Sequence, residues 1–277
     1  MPGKIFTTYT DFSNVPATGV ASASLPIGKT IEQIHLQLGG TTFAKANVTA
    51  VKVKANAKTI FDLSAAQIDK MLAYRGHSVT TDVITIDFTE QFGRDVFDVL
   101  AGGFDTSIGI TSLSLEVTIS GATSPTIKMQ VMQSAPQGRQ GSVLGALAGH
   151  IAMVSRTAYN ISAAGNLQIL LPNGSSGGYV KRIHVEHGTA SNITDLKLKQ
   201  GGIEVYQSTK ALNDAFLKHN RKTVQALWAS LEFVPDGNSP TWLNTKGGEQ
   251  VELVPTFGAL DSGYVIVESY NTLDRAV

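Results

Sequence analysis

Apolar and polar residues alternate with a period of two along most of this chain. Ile34, Leu36 and Leu38 fall on one side of a run whose other side carries His35 and Gln37. Val51 and Val53 oppose Lys52 and Lys54, and segments 83–88, 113–119, 180–185, 193–199, 229–234 and 264–268 behave likewise. Successive side chains of a strand leave opposite faces, so this alternation predicts half-buried strands. Gly, Asn, Pro and Asp separate the runs at short spacing, which points to a sandwich or barrel. Two segments switch to helical spacing. Ser64-Ala65-Ala66-Gln67 has the spacing of a capping box, and Ile68, Met71 and Leu72 follow. Further along, Thr209 can cap a helix whose stripe is Leu212, Phe216 and Leu217. Both stripes are expected to pack into a core.

The pattern occurs twice. Asn47-Val48-Thr49-Ala50-Val51-Lys52-Val53-Lys54 lines up with Asn192-Ile193-Thr194-Asp195-Leu196-Lys197-Leu198-Lys199, at an offset of 145. At that offset Ile60-Phe61 meets Val205-Tyr206, Ile86-Asp87-Phe88 meets Leu231-Glu232-Phe233, and Phe97 meets Trp242. Leu25-Pro26-Ile27-Gly28 meets Leu171-Pro172-Asn173-Gly174, and Ile34-His35-Leu36 meets Ile183-His184-Val185, at slightly larger offsets. Solenoid units run to roughly 20–50 residues, so a repeat this long is a duplicated domain. The breaker-rich stretch Ser134 to Ser142 reads as a linker, and Val143 to Ala152 as a short helix or a crossing loop. The expected division is a first domain over 1–134 with an N-terminal arm over about 1–12, a linker over 135–150, and a second domain over 151–277.

Composition narrows the function. With 277 residues, each copy is long enough to bury its own core. Charged residues make up 16%, below the roughly 25% usual for soluble domains, which suits surfaces that partners cover. Lys+Arg and Asp+Glu balance at 22 each, so no direct nucleic-acid binding is expected. The absence of cysteine excludes disulfides, thiolate metal sites and cysteine nucleophiles. No apolar run is long enough for a membrane-spanning helix. Met1-Pro2-Gly3-Lys4 lacks the apolar core of a signal peptide, so a soluble protein that is not secreted by the usual route is expected.

Several motifs look like chemistry and fail on context. Ala23 to Thr30 fits a relaxed phosphate loop, but a strand rather than a helix is expected to follow, and Pro26 removes an N–H from the cradle. Gly174-Ser175-Ser176-Gly177-Gly178 fits a nucleophile elbow, yet Tyr179 to Val185 reads as strand, not helix. His184 and His187 lie three apart on a strand and so point to opposite faces. His184 and Glu186 share a face but are too few for zinc. Lys218-His219-Asn220-Arg221-Lys222 follows a helix, where cations complement the negative helix end, and reads as a solvated terminus. The Asn-x-Ser/Thr sites at Asn47, Asn160, Asn173 and Asn192 carry no weight without a secretion signal. No catalytic, cofactor-binding or metal-ligating residue is assigned. A structural calcium held by carboxylates from separate loops stays open.

Leu25-Pro26-Ile27-Gly28-Lys29-Thr30 with Glu32, Ile34 and Leu36, the strand Val51-Lys52-Val53, Tyr179 to His184, the strand to Lys199, and the helix leading to Leu231-Glu232-Phe233 carry a resemblance. The chain resembles the double jelly-roll major capsid proteins of the short corticovirus type. Corticoviruses are tailless icosahedral double-stranded DNA bacteriophages with an internal membrane. The resemblance implies an all-β chain of two tandem jelly rolls, with one short helix in each. It implies a non-enzymatic virion protein, assembled in the host cytoplasm, that forms homotrimeric pseudo-hexagonal capsomers. Its partners would be other copies of itself, vertex or penton proteins and internal-membrane proteins, with the membrane only nearby beneath the shell. Two other readings compete. One is a tandem jelly-roll carbohydrate- or receptor-binding module stacking ligands on Trp228, Trp242 and Tyr206, although these match core positions of the repeat. The other is a jelly-roll enzyme such as a cupin or glycosidase, for which clustered histidine ligands are lacking.

Overall fold

The computed structural model describes residues 5–6, 10–90, 102–107, 109–136, 150–171, 178–189, 192–234, 242–245 and 249–273. The chain divides into two compact units. One comprises Met1–Ala73, His77–Ala152 and Leu273–Val277; the other comprises Tyr74–Gly76 and Met153–Thr272.

The first unit contains β1 (Ile5–Phe6), β2 (Thr10–Asp11), β3 (Gly19–Ser24), β4 (Thr30–Gly39), β5 (Val48–Ala55), β6 (Lys58–Leu63), α1 (Ala65–Tyr74), β7 (Val83–Asp87), β8 (Phe104–Asp105), β9 (Leu113–Ile119) and β10 (Thr126–Ser134). One sheet runs β1-β10-β4-β7, with β2 on β10 and β8 on β4; the other runs β6-β5-β9-β3. The second unit contains β11 (His150–Ile161) from Met153 onward, β12 (Gly165–Asn166), β13 (Ile169–Leu170), β14 (Tyr179–His187), β15 (Ile193–Gln200), β16 (Ile203–Thr209), α2 (Lys210–His219), β17 (Trp228–Glu232), β18 (Leu243–Asn244), β19 (Val251–Phe257) and β20 (Asp261–Thr272). Its sheets run β17-β14-β20-β11, with β18 on β14, and β16-β15-β19, with β12 and β13 on β19.

Exchanging each strand for its repeat-mate converts one unit into the other. The order β7-β4-β10-β1 becomes β17-β14-β20-β11, and β6-β5-β9-β3 becomes β16-β15-β19-β12. Each unit is a two-sheet antiparallel jelly roll, and the chain is a double jelly roll. Alternation fills the cores as read from the sequence. Ile34, Leu36, Ile84 and Val51 are fully buried in the first unit, and Ile183, Val185, Leu196 and Leu231 belong to the core cluster of the second. Each such side chain contributes roughly 1.5–3 kcal/mol.

The duplication reaches the irregularities. The ladder of β4 with β10 skips Glu32, and that of β14 with β20 skips Lys181. The carbonyls of these two bulge residues accept the N–H of Phe88 and Phe233 respectively. A second bulge falls at Thr49 and at Thr194, and a third at Ile60 and at Val205. A bulge bends its strand and increases local twist, so matched bulges give matched curvature. The hairpins β5–β6 and β15–β16 turn through Asn56-Ala57 and Gly201-Gly202, all four at positive φ, as tight two-residue hairpins require. Ala57, at φ 66°, holds this conformation without glycine's freedom.

The helices depart from expectation in one respect. The capping box at α1 forms, with Gln67 N–H to Ser64 Oγ at 3.3 Å and Ser64 N–H to Gln67 Oε1 at 3.0 Å. Ile68, Met71 and Leu72 are buried. Thr209 caps α2 by accepting Leu212 N–H, but the apolar stripe of α2 does not enter the core as read. Leu217 is 1% exposed, whereas Leu212 and Phe216 are 67% and 45% exposed. The α2 face against β17 instead carries Leu217 and Asn213, whose amide donates to Ser230 O at 2.8 Å. Residues 150–152 of the stretch read as a helix or loop are the start of β11. Most of the expected linker lies outside the described residues, as does Phe97.

Candidate functional site

Alternation on β14 sends Ile183 and Val185 into the core of the second unit and leaves Arg182 and His184 on the outward face. Cross-strand register puts Glu232 and Ser230 of β17 beside them on one side, and Glu268 of β20 on the other. A solvated row of polar residues is the usual outcome on such a face. Here Arg182 is 1% exposed, His184 0% and Glu268 2%. Tyr74 and Arg75, which group with this unit, complete the cluster.

The groups satisfy one another. Arg182 Nε donates to Glu232 Oε2 at 2.6 Å, and its Nη1 reaches Glu268 Oε2 at 3.3 Å. Arg75 Nη2 pairs with the same Glu268 oxygen. Tyr74 O–H donates to Glu232 Oε2 at 3.2 Å, and Lys222 Nζ lies 3.7 Å from that oxygen. His184 has Nε2 2.9 Å from Glu268 Oε1, and its Nδ1 lies 2.7 Å from Ser230 Oγ and 3.1 Å from Trp228 Nε1. An indole N–H can only donate, so Nδ1 carries a lone pair and the imidazole proton sits on Nε2, directed at Glu268. Rings enclose the histidine, with Tyr74 edge-on and Trp228 tilted, each at 5.1 Å between centroids.

Burial pushes the Glu268 carboxyl upward, but the Arg75 and Arg182 guanidiniums and the His184 hydrogen bond outweigh it. The carboxyl is held well below the usual range. Burial, then the Glu232 charge, raises the Tyr74 phenol well above its ordinary value. Two guanidiniums face two carboxylates, so the innermost charges sum to zero. Removing one partner of such a set costs about 3–5 kcal/mol, because the other charge stays buried and unpaired. Ser230, His184 and Glu268 stand in the order of a hydroxyl–imidazole–carboxylate relay, but they are 2%, 0% and 2% exposed, so no substrate reaches the hydroxyl and the cluster's chemistry is to hold strands together. Among the described residues, no group of three or more His, Cys, Asp or Glu could hold a metal ion.

The first unit has the same frame with other residues. Gln33 Nε2 donates to Asp87 Oδ2 at 2.7 Å, at the positions of Arg182 and Glu232. His35 Nδ1 lies 3.1 Å from Thr85 Oγ1, at the positions of His184 and Ser230. Met132 stands where Glu268 stands. This face is only half covered at Val83, Thr85 and His35. Burial lowers the His35 imidazole, and the Asp87 charge partly opposes that.

A second repeated device sits at the loops. Asn47 Nδ2 donates to the carbonyls of Ser120 and Gly121, and Asn192 Nδ2 donates to those of Ala259 and Leu260. Asn192 also reaches Asp261 Oδ2 at 2.8 Å, and Asp261 Oδ1 collects the N–H groups of Gly188 and Ser262. Burial acts to raise the Asp261 carboxyl, but these hydrogen bonds prevail and lower it. The two apparent glycosylation sites Asn47 and Asn192 are thus loop clamps.

The chemical motifs resolve as turns and strands. Leu25 to Lys29 connects β3 to β4, with no helix for a phosphate to face. Residues 174–177 lie outside the described part, and β14 follows at Tyr179. His187 Nδ1 lies 2.7 Å from Thr189 O, apart from His184. Of the basic run, Lys218, His219 and Arg221 are exposed. Lys222 departs from the solvated reading, because its side chain is 15% exposed and faces Glu232. Trp228 is 1% exposed beside His184 and so presents no open platform, whereas Trp242 is half-buried against Tyr179 and Tyr270, with ring centroids at 5.4 and 5.0 Å. Arg75, Glu232 and Glu268 were not legible as a cluster, since charge at alternate strand positions reads as a wet face. The available signal was Trp228, which shares its face with Ser230 and Glu232.

Two matched jelly rolls, tied internally by a charge-balanced cluster and loop clamps, define a structural protein of the double jelly-roll capsid class. The chain belongs to the viral coat protein P2 family: the model of the P2 N-terminal domain matches residues 7–134, and that of the P2 C-terminal domain matches residues 151–273. It is a viral major capsid protein, a component of the virion. Among solved structures it is similar to the major capsid protein P2 of bacteriophage PM2, with 18% identity, a TM-score of 0.83 and 97% of each chain covered. A chain of the Sulfolobus Turreted Icosahedral Virus structure follows at 12% identity and a TM-score of 0.68, covering 97% of this chain and 90% of that one. The Faustovirus major capsid protein has 8% identity and a TM-score of 0.58, covering 98% and 90%. No curated protein matches the chain in a sequence search.

Proposed function

We propose that the protein forms homotrimers, and that these are the pseudo-hexagonal capsomers of an icosahedral, internal-membrane-containing double-stranded DNA phage. The observation that carries this reading is the recurrence of all three bulges at matched positions. Two barrels of matched curvature per chain give six similar lobes when three chains close around an axis, and six lobes tile a shell. A head-to-tail interface closes at three when its rotation closes. The family membership supports a self-assembling coat. The jelly rolls are proposed to span 1–134, including an N-terminal arm over about 1–12, and 151–277, joined by a linker over 135–150. Vertex and internal-membrane proteins are the proposed partners, and the balanced charge of 22 against 22 accords with a shell that makes no direct contact with packaged DNA. Light scattering tests the oligomer. A mass about three times the 29.4 kDa chain, roughly 88 kDa, is expected, and a stable monomer at high concentration would overturn it.

A further inference from the structure

The two helices bury different numbers of faces. Ile68 and Leu72 of α1 match Asn213 and Leu217 of α2, and all four are buried. Gln67 and Met71 match Leu212 and Phe216. The first pair is 2% and 6% exposed, the second 67% and 45%. The mismatch continues past the helix ends. Tyr74 and Arg75 cover the outward face of β14, β17 and β20, through Glu232, His184 and Glu268. Of their repeat-mates, His219 is exposed and Asn220 turns its Nδ2 back to Phe216 O of its own helix. The repeat-mate of the covered face, formed by β4, β7 and β10, is itself only half covered at His35, Val83 and Thr85. Gly76 and Arg221, one residue on, both adopt positive φ, so the two helices end in the same way.

We propose that the second face of α2 and its end, from Leu212 and Phe216 to His219 and Arg221, docks on the outward face of β4, β7 and β10 of another copy of this chain. The proposal rests on the homotrimer reading and names the surfaces it would use. Both halves of the contact lie on every chain, at different places, which is the condition for a head-to-tail ring. The repeat favours this occupant. Within one chain Tyr74 and Arg75 lie on the repeat-mate of the receiving face, and His219 and Asn220 hold the places of Tyr74 and Arg75 on α2. Exposed Leu212 and Phe216 supply an apolar centre, the usual source of most binding energy in such an interface.

The chain has no cysteine, which allows a clean test. The double variant His219→Cys/His35→Cys, treated with a short bismaleimide, is expected to yield a covalent trimer on a denaturing gel. Each single variant should yield none. Separately, Phe216→Glu should move the trimer–monomer midpoint about tenfold or more to higher protein concentration. Circular dichroism should stay unchanged, since the side chain is 45% exposed in the single chain. A trimer by light scattering that neither cross-links nor responds to Phe216→Glu would overturn the surface and leave the trimer standing. A monomeric parent would overturn both.

Discussion

The outward face of β14, β17 and β20 and the outward face of β4, β7 and β10 share one backbone frame. The first holds Arg182, His184, Ser230, Glu232 and Glu268, sealed under Tyr74 and Arg75. The second holds Gln33, His35, Thr85, Asp87 and Met132, of which His35 and Thr85 are only half covered. The histidine, its hydroxyl partner and the pairing one step along the strand persist in both. What changes is charge. A neutral amide and a thioether in one copy stand where a guanidinium and a carboxylate stand in the other, and there a second guanidinium, Arg75, joins the set. Duplication preserves the geometry that builds a barrel, while the surface residues diverge according to what covers each copy.

The largest break in this comparison should come from Arg182→Met set against Gln33→Met. The first leaves the buried carboxylates Glu232 and Glu268 one guanidinium short, with Arg75 still on Glu268 and Lys222 3.7 Å from Glu232, and should cost about 3–5 kcal/mol. The second loses one neutral-to-charged hydrogen bond, with Asp87 still accepting from Thr89, and should cost about 1.5–3 kcal/mol. Chemical denaturation of both variants measures the difference. Replacing Arg75, Arg182, Glu232 and Glu268 together by apolar residues of similar volume should cost less than Arg182→Met alone, because both innermost guanidiniums leave with both carboxylates and only the partly exposed Lys222 loses a partner.

Acid should separate the copies next. The His35 imidazole is lowered from 6.5, so its contribution is complete above 6.5 and fades as pH falls through the lower folded value. The Glu268 carboxyl is held well below its ordinary 4.5, so its contribution is complete above 4.5 and fades only below that. Hydrogen exchange followed from pH 7 to 4.5 should therefore loosen β4 and β7 before β14 and β17. The reverse order would contradict the assignment.

The loop clamps give a smaller contrast. Asn192→Ala leaves buried Asp261 Oδ2 short of a donor and should cost about 1–3 kcal/mol, whereas Asn47→Ala, at an exposed site, should cost about 0.5–1.5 kcal/mol. Paired thermal melts would show it. The smallest effect is a gain. Ala57→Gly relieves a left-handed residue worth about 1–2 kcal/mol against the roughly 0.5–1 kcal/mol that glycine loses in chain entropy. A gain in stability of under about 1 kcal/mol is expected, seen as a small rise in the melting midpoint, with glycine then at the position of Gly202 in the other copy.

Much of the fold was legible because strand alternation and repetition are local properties. Ile34-His35-Leu36 and Ile183-His184-Val185 announced the same strand twice, and Ser64 with Gln67 announced a helix start. The exposed stripe of α2 was not legible, because Leu212 and Phe216 have the same spacing whether the chain's own core or another surface covers them. The ion network was hidden for a related reason. Arg182 and Glu232 alternate with apolar residues as solvated charges do, and only the arrival of Tyr74 and Arg75 from over a hundred residues away buries them. Periodicity reports which face a residue is on; it carries no information about what lies opposite that face.

The central claim is that two nearly equivalent barrels per chain let a threefold assembly imitate a sixfold one. Cryo-electron microscopy of the purified oligomer tests it most directly. The expected density has six similar lobes around a threefold axis, with alternate lobes fitted by the first and second jelly rolls. Density with one or two lobes, or a ring in which like barrels adjoin rather than alternate, would contradict it.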